Sequence, residues 1–222
     1  MTKGRWMEES KIKHVIWDWN GTLYDDPHIC VATLNRILER RDLPLVDLEQ
    51  YREIFRFPVK AYYEDIGFDF NTEDWDNMAN EFHTVYAELR EADKTDLRDG
   101  VEDALSELNN RGMPMSVLSA AESGMLKSDL IQHNIMDFFS YTYGTSDIYA
   151  GSKVAAGRQL IEQIGHEPNQ ILLIGDTTHD HDVATELGCQ CLLLAGGHQA
   201  EHRLRKCGRT VILNPTEVTA LC

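Results

Sequence analysis

Four short apolar runs stop abruptly at a polar residue, a glycine or an alanine: Val15 to Trp17 before Asp18, Met115 to Leu118 before Ser119, Ile171 to Ile174 before Gly175, and Cys191 to Leu194 before Ala195. Short, largely apolar runs of this length are the pattern of strands buried on both faces. Between them the spacing is helical: Val101, Ala104, Leu105 and Leu108 stop at Gly112, and Val154, Leu160, Ile161 and Ile164 stop at Gly165. Strand alternating with helix predicts an α/β fold, a parallel sheet wrapped on both faces, with ligands received beyond the carboxyl ends of its strands. The residues that end those strands are therefore where chemistry is expected.

One stretch breaks the alternation, for from about Asp26 to Asp96 the signals are all helical. Asp26-Pro27 opens a helix carrying Ile29, Leu34, Ile37 and Leu38, with Pro44 beyond its end. Asp47 opens a second with Leu48, Tyr51 and Ile54, and Pro58 a third with Tyr62, Tyr63 and Ile66 before Gly67. Thr72-Glu73-Asp74 caps a long fourth through Trp75, Met78, Phe82, Val85 and Leu89. Four helices inserted after the first strand predict a separate all-helical module, joined by short hinges near Asp25 and Leu97.

At 222 residues the chain can hold a sizeable core and a smaller module. Its net charge of -16, with no Lys/Arg stripe, repels nucleic acid and anionic lipid, so neither is an expected partner. Any anionic substrate must be met by a locally electropositive site. Cys30, Cys189, Cys191, Cys207 and Cys222 are odd in number and scattered, which reads as reduced thiols. The run from Met1 to Lys13 is charged, and nowhere do about 18 apolar residues follow one another. A soluble, cytoplasmic protein is expected, as monomer or homodimer, acting on a small molecule.

The strand ends carry a consistent chemistry. Asp18-Trp19-Asn20-Gly21-Thr22-Leu23 closes the first strand, with a carboxylate facing the crevice, Gly21 for a tight turn, and Thr22 to offer hydroxyl and N–H to an anion. Ser119 ends the second strand; it can hold a phosphate oxygen or cap the helix near Glu122. Lys153, after Gly151-Ser152, starts a helix and can neutralise a transferring phosphoryl group. Gly175-Asp176-Thr177-Thr178-His179-Asp180 closes the third, and two carboxylates so placed suit a hard cation. Together they supply nucleophile, phosphate donor, counter-charge and metal ligands for phosphoryl transfer.

These four motifs, in this order, resemble those of the haloacid dehalogenase superfamily over nearly the whole chain, in its phosphoglycolate phosphatase-like branch. The resemblance implies a Rossmann-like core of residues 1–25 and 97–222 with a helical cap of 26–96. The interval from Lys153 to Asp176 is too short for a further cap. It further implies a Mg²⁺-dependent phosphatase of a small phosphorylated metabolite, of the phosphoglycolate or sugar-phosphate type. Asp18 would form an aspartyl-phosphate. Asp18, the Asn20 carbonyl, Asp176 and Asp180 would bind the metal, with Asp180 direct, through water, or fixing Lys153. Thr22, Ser119 and Lys153 would bind phosphate.

One position departs from the family. Its phosphatases carry a second Asp two residues after the nucleophile as general acid and base, and here that position is Asn20, which cannot exchange a proton. Three explanations follow. Another group, among His179, His181, Asp25 and Asp26, fills the role; or the substrate needs no acid, as in phosphonoacetaldehyde-type C–P hydrolases, with Lys60 as the cap lysine; or the protein binds a phosphorylated ligand without turnover. Trp17 and Trp19, flanking Asp18 on alternate faces, read as core or cap contacts, and Tyr62, Tyr63 and Trp75 as cap core. Arg56 and His198 read as surface and loop residues near the crevice.

Overall fold

The computed structural model describes residues 12–93, 95–145 and 153–222. The charged N-terminal run through residue 11 and the Gly151-Ser152 pair lie outside the described residues. In chain order the elements are β1 (His14–Trp17), α1 (Pro27–Glu39), α2 (Leu48–Ile54), α3 (Val59–Asp65), α4 (Trp75–Asp93), α5 (Val101–Asn110), β2 (Met115–Glu122), α6 (Ser123–Gln132), β3 (Phe139–Thr145), α7 (Lys153–Ile164), β4 (Ile171–Gly175), α8 (Thr178–Leu187), β5 (Gln190–Leu194), α9 (Glu201–Arg205) and β6 (Thr210–Ile212).

The six strands form one sheet in the order β3-β2-β1-β4-β5-β6, every neighbouring pair parallel. The order reverses at β1 and β4, and there the carboxyl ends open into the crevice that such sheets use for ligands. Successive residues of β1 serve opposite faces: Val15 and Trp17 pack with Leu172, Ile174 and α5, while Ile16 packs with Leu173, Leu193 and α8. Trp19 joins the cluster of Trp17 rather than the other face, as a spacing of two requires. Two strands absent from the sequence reading, β3 and β6, are the sheet's edges. One is only half buried and rich in Tyr, Thr and Ser, and the other is three residues long, so neither forms an apolar run.

The helices α1 to α4 bury their own cluster, in which Leu34, Ile37, Leu38, Tyr51, Tyr62, Tyr63 and Met78 meet. Local signals start them: Pro27 stands in the first turn of α1, Asp47 and Gln50 form a capping box on α2, and Asp74 accepts from the Asn77 N–H at 2.9 Å. Among the contacts that tie this unit to the rest of the fold are two made by arginines. Arg203 of α9 donates to the carbonyls of Arg52, Glu53 and Phe55 at 3.1, 3.0 and 2.7 Å, closing the C-terminus of α2 with a cation. Arg90 of α4 grips Asp129 of α6 through both terminal nitrogens, both side chains largely buried. All five cysteines are free. Among the described residues no helix is long and apolar enough to cross a membrane.

His14 is a polar residue inside this core, 3% exposed, with Nε2 2.8 Å from Ser116 Oγ on β2. Burial, reinforced by His166, lowers its pKa to about 4. The folded state therefore prefers the neutral ring while the unfolded chain takes up a proton near pH 6.5. Stability from this residue is complete above that value and falls as pH drops toward 4. Urea denaturation of wild type should lose about 2 kcal/mol more between pH 7 and pH 5 than that of His14→Gln. Equal acid sensitivity of the two proteins would refute this.

Candidate active site

The end of β1 turns sharply. The N–H groups of Thr22, Leu23 and Tyr24 all point to the Trp19 carbonyl, and Gly21 sits at φ +70, which glycine adopts without strain. A Cβ on Gly21 would lie 2.4 Å from Asp176 Oδ2, so the turn also needs glycine for room. Trp17 pairs with Ile174 across β1 and β4, and the Asp18 N–H bonds the Ile174 carbonyl at 2.8 Å. That register sets Asp18 beside the β4 loop that carries Asp176 and Asp180. The carboxylates of Asp18, Asp176 and Asp180 all lie within 4.8 Å of one another, and all three residues are buried.

Lys153, at the start of α7, is 3% exposed and places its ammonium 2.6 Å from both Asp18 Oδ1 and Asp180 Oδ1. Asp180 Oδ2 accepts from the Thr177 N–H at 3.0 Å and its hydroxyl at 2.6 Å, the capping box that opens α8. Asp176 is held by the Thr22 hydroxyl at 3.0 Å and the His198 N–H at 2.6 Å. Burial raises the carboxyl pKa of Asp18 against the pull of Lys153, with Asp180 and Asp176 adding to the rise. Burial would lower that of Lys153, but Asp18 and Asp180 outweigh it and raise it.

Asp18 and Asp180 therefore share the Lys153 ammonium, while Asp176 feels His198 and Arg98. The sequence led us to expect an electropositive pocket, whereas the protein side chains leave a local excess of negative charge. Oxygen donors so close together fit a hard divalent cation, and such an ion would restore the balance. The residues present thus match a magnesium site in the chemistry of the donor set.

Ser119 is 1% exposed, faces the same cavity as Asp18 and Lys153, and accepts from the Ala121 N–H at 3.0 Å. It lies within β2, which runs on to Glu122, and Glu122 rather than Ser119 caps α6. Thr22 differs from expectation: it is fully buried and outside the cavity lining, its hydroxyl bonds Asp176 and its N–H bonds Trp19, so it orients a carboxylate instead of meeting phosphate.

Beside the carboxylates lies a second buried network that the sequence did not disclose. Asp26 does not cap α1; it accepts from the Gly21 N–H at 2.9 Å, Asn20 Nδ2 at 2.8 Å and the Tyr86 hydroxyl at 2.8 Å, and stands 3.2 Å from His198 Nε2. His198 Nδ1 meets the Tyr51 hydroxyl at 2.9 Å. Burial opposes charge on both partners, yet their mutual attraction wins. The His198 pKa rises to about 9 and that of Asp26 falls to about 2. The only sequence signals were an Asp before Pro27 and a Gly-Gly-His loop, and both have commoner uses as caps and turns.

The remaining candidates separate cleanly. His179 lines the cavity, its ring stacked on Phe57 with centroids 4.3 Å apart. His181 pairs with Asp182, Asp25 is exposed, and neither lines the cavity. Lys60 is exposed, with its ammonium 5.3 Å from the Phe70 centroid and outside the cavity wall. Arg56 pairs with Asp65 at 2.7 Å.

Glycine at 197 serves the carboxylates directly, because a Cβ there would fall 2.2 Å from Asp176 Oδ2. Gly197→Ala should displace that carboxylate and cost about 1–3 kcal/mol in urea denaturation. A stability within about 0.5 kcal/mol of wild type would show that the pocket yields without strain.

Residues 15–194 match the family described as haloacid dehalogenase-like hydrolase. The chain is 23% identical over 184 residues to a phosphoglycolate phosphatase of Synechococcus elongatus, covering 82% of this chain and 84% of the relative. It is also 23% identical over 208 residues to the tyrosine-protein kinase PtkA of Mycobacterium tuberculosis, covering 93% of this chain and 70% of that protein. Among solved structures, a predicted phosphatase from Clostridium acetobutylicum superposes with a TM-score of 0.77 at 19% identity, over 95% of this chain and 98% of the other. The strand order, the carboxylates gathered at β1 and β4, and the family match over most of the chain lead to one assignment: the chain belongs to the haloacid dehalogenase-like hydrolases.

Proposed function

We propose that the protein is a magnesium-dependent phosphatase of a small phosphorylated metabolite, working through an aspartyl-phosphate on Asp18. The observation that carries this reading is the meeting of Asp18, Asp176 and Asp180 around Lys153 at the sheet's switch point. Residues 1–25 and 97–222 act as the catalytic core and 26–96 as the cap. The carboxylates of Asp18, Asp176 and Asp180, with the Asn20 backbone carbonyl, would hold Mg²⁺, whose charge offsets that of the phosphate dianion as a carboxylate approaches it.

Lys153 holds Asp18 in place through Oδ1 and neutralises part of the phosphoryl charge. Ser119 donates to a phosphoryl oxygen. Asp18 forms a bond to phosphorus as the ester P–O bond breaks, and the departing alkoxide takes a proton. Water then gives its oxygen to phosphorus and its proton to the protein, releasing the Asp18 carboxylate and inorganic phosphate. The net reaction is ester plus water to alcohol plus phosphate.

Geometry narrows the search for the proton carrier that Asn20 cannot be. Asp26 lines the cavity but its oxygens are taken by Gly21, Asn20, Tyr86 and His198. Asp25 and His181 lie outside it, so His179 is the member of that set placed to serve. Lys60 is exposed and outside the cavity wall, so among the described residues the C–P hydrolase reading finds no lysine of the helical unit lining the cavity.

With Mg²⁺ present, Asp18→Asn should reduce release of inorganic phosphate from alkyl and aryl phosphates to background. Retained activity would refute the nucleophile. His179→Asn should slow alkyl esters by about 10²-fold or more while sparing p-nitrophenyl phosphate, whose leaving group needs little protonation. Equal loss on both would refute a proton role for His179.

A further inference from the structure

We infer that the natural ester carries a one-ring apolar leaving group, so that the substrate is the phosphate of a benzyl-like alcohol rather than of glycolate or a sugar. This rests on the phosphatase reading above and concerns what the cap admits. A single cavity of about 220 Å³ runs from Asp18, Ser119 and Lys153 to a wall formed by the helical unit. That wall includes Phe55, Phe57, Tyr62, Trp75, Met78 and Phe82.

Charge decides against a second anionic group on the substrate. Among the described residues lining the cavity, the Lys and Arg side chains are Lys153 and Arg90. Lys153 already bridges Asp18 and Asp180, both terminal nitrogens of Arg90 bond Asp129, and His198, the further cation of the lining, is paired with Asp26. A carboxylate such as that of phosphoglycolate would have to break one of these buried pairs, which costs several kcal/mol.

At the aromatic wall hydrogen bonding weighs against a sugar, while His83, Glu122 and His179 line the cavity elsewhere. The Tyr51 hydroxyl is committed to His198 and the Tyr86 hydroxyl to Asp26, while Trp75, Phe82, Met78 and Phe55 line the wall with apolar surface. Each sugar hydroxyl buried there without a partner gives up its bonds to water with nothing in return.

Volume sets the scale. An apolar cavity of about 150 Å³ holds one benzene molecule, so about 220 Å³ is matched to one ring with its phosphate.

The test compares kcat/KM of the wild-type enzyme with Mg²⁺ for benzyl, ethyl and 2-naphthylmethyl phosphates and for 2-phosphoglycolate, all esters of comparably basic alcohols. Benzyl phosphate is expected to exceed each of the others by about 10-fold or more. p-Nitrophenyl phosphate, assayed beside Asp18→Asn, reports whether the chemistry itself runs. If that control is active and ethyl phosphate or phosphoglycolate equals benzyl phosphate, the apolar leaving group is wrong and the phosphatase reading survives. A naphthylmethyl ester as good as the benzyl ester overturns the one-ring match. If no ester turns over, the phosphatase reading falls, and calorimetry with benzylphosphonate against ethylphosphonate still decides the pocket: affinities within twofold overturn the inference, and tighter benzylphosphonate binding by about 10-fold upholds it.

Discussion

Everything at the catalytic end of this protein is arranged around a shortage of positive charge. Lys153 is one ammonium, buried between Asp18 and Asp180, with Asp176 close by. Carboxylates this near, removed from water, repel unless each finds donors. The surrounding chain supplies them one at a time: Thr22 and the His198 N–H for Asp176, and the first turn of α8 for Asp180. Even the glycines follow from this crowding. Cβ atoms on Gly21, Gly175 and Gly197 would each meet an aspartate atom at 2.2 to 2.4 Å, so three backbone segments come close only because they lack side chains there.

The amide at position 20 has a reason in the same terms. Asn20 Nδ2 donates to Asp26 Oδ2, and Asp26 is held ionised by His198. A carboxylate at 20 would set two like charges face to face in a buried place. The amide supports the Asp26 and His198 pair, which in turn joins the loop after β1, the helix α1, the Tyr51 hydroxyl of α2 and the loop after β5. Asn20 is thus part of what couples the helical unit to the sheet, and the cost is a group that cannot carry a proton.

Much of this was legible in the chain because it rests on local or periodic signals. The four apolar runs became β1, β2, β4 and β5, and Asp47, Pro27 and Gly112 marked helix ends by chemistry confined to a few residues. Asp18, Ser119, Lys153, Asp176 and Asp180 could be singled out because strand ends in a parallel sheet converge. What escaped depends on partners far away in sequence. Asp26 looks like a helix cap until Tyr86 and His198 arrive from 60 and 172 positions on, and Thr22 looks like a phosphate donor until Asp176 takes its hydroxyl. Edge strands β3 and β6 escaped for another reason: half exposed or very short, they carry no unbroken apolar run.

The net charge of -16 raises the question of how a phosphate dianion enters at all. Screening answers part of it, since at physiological ionic strength exposed charges more than about 8 Å away contribute little. The aromatic wall answers the rest. Phe55, Trp75 and Phe82 offer the phosphate no hydrogen bonds, and beside such apolar surface each nearby charge acts more strongly than it would in bulk water. The same surface magnifies the repulsion of Asp18, Asp176 and Asp180, so the apolar cavity admits an anion only together with a cation. Substrate and a metal held by these carboxylates would then be coupled by electrostatics, and the cavity's apolar surface would strengthen that coupling.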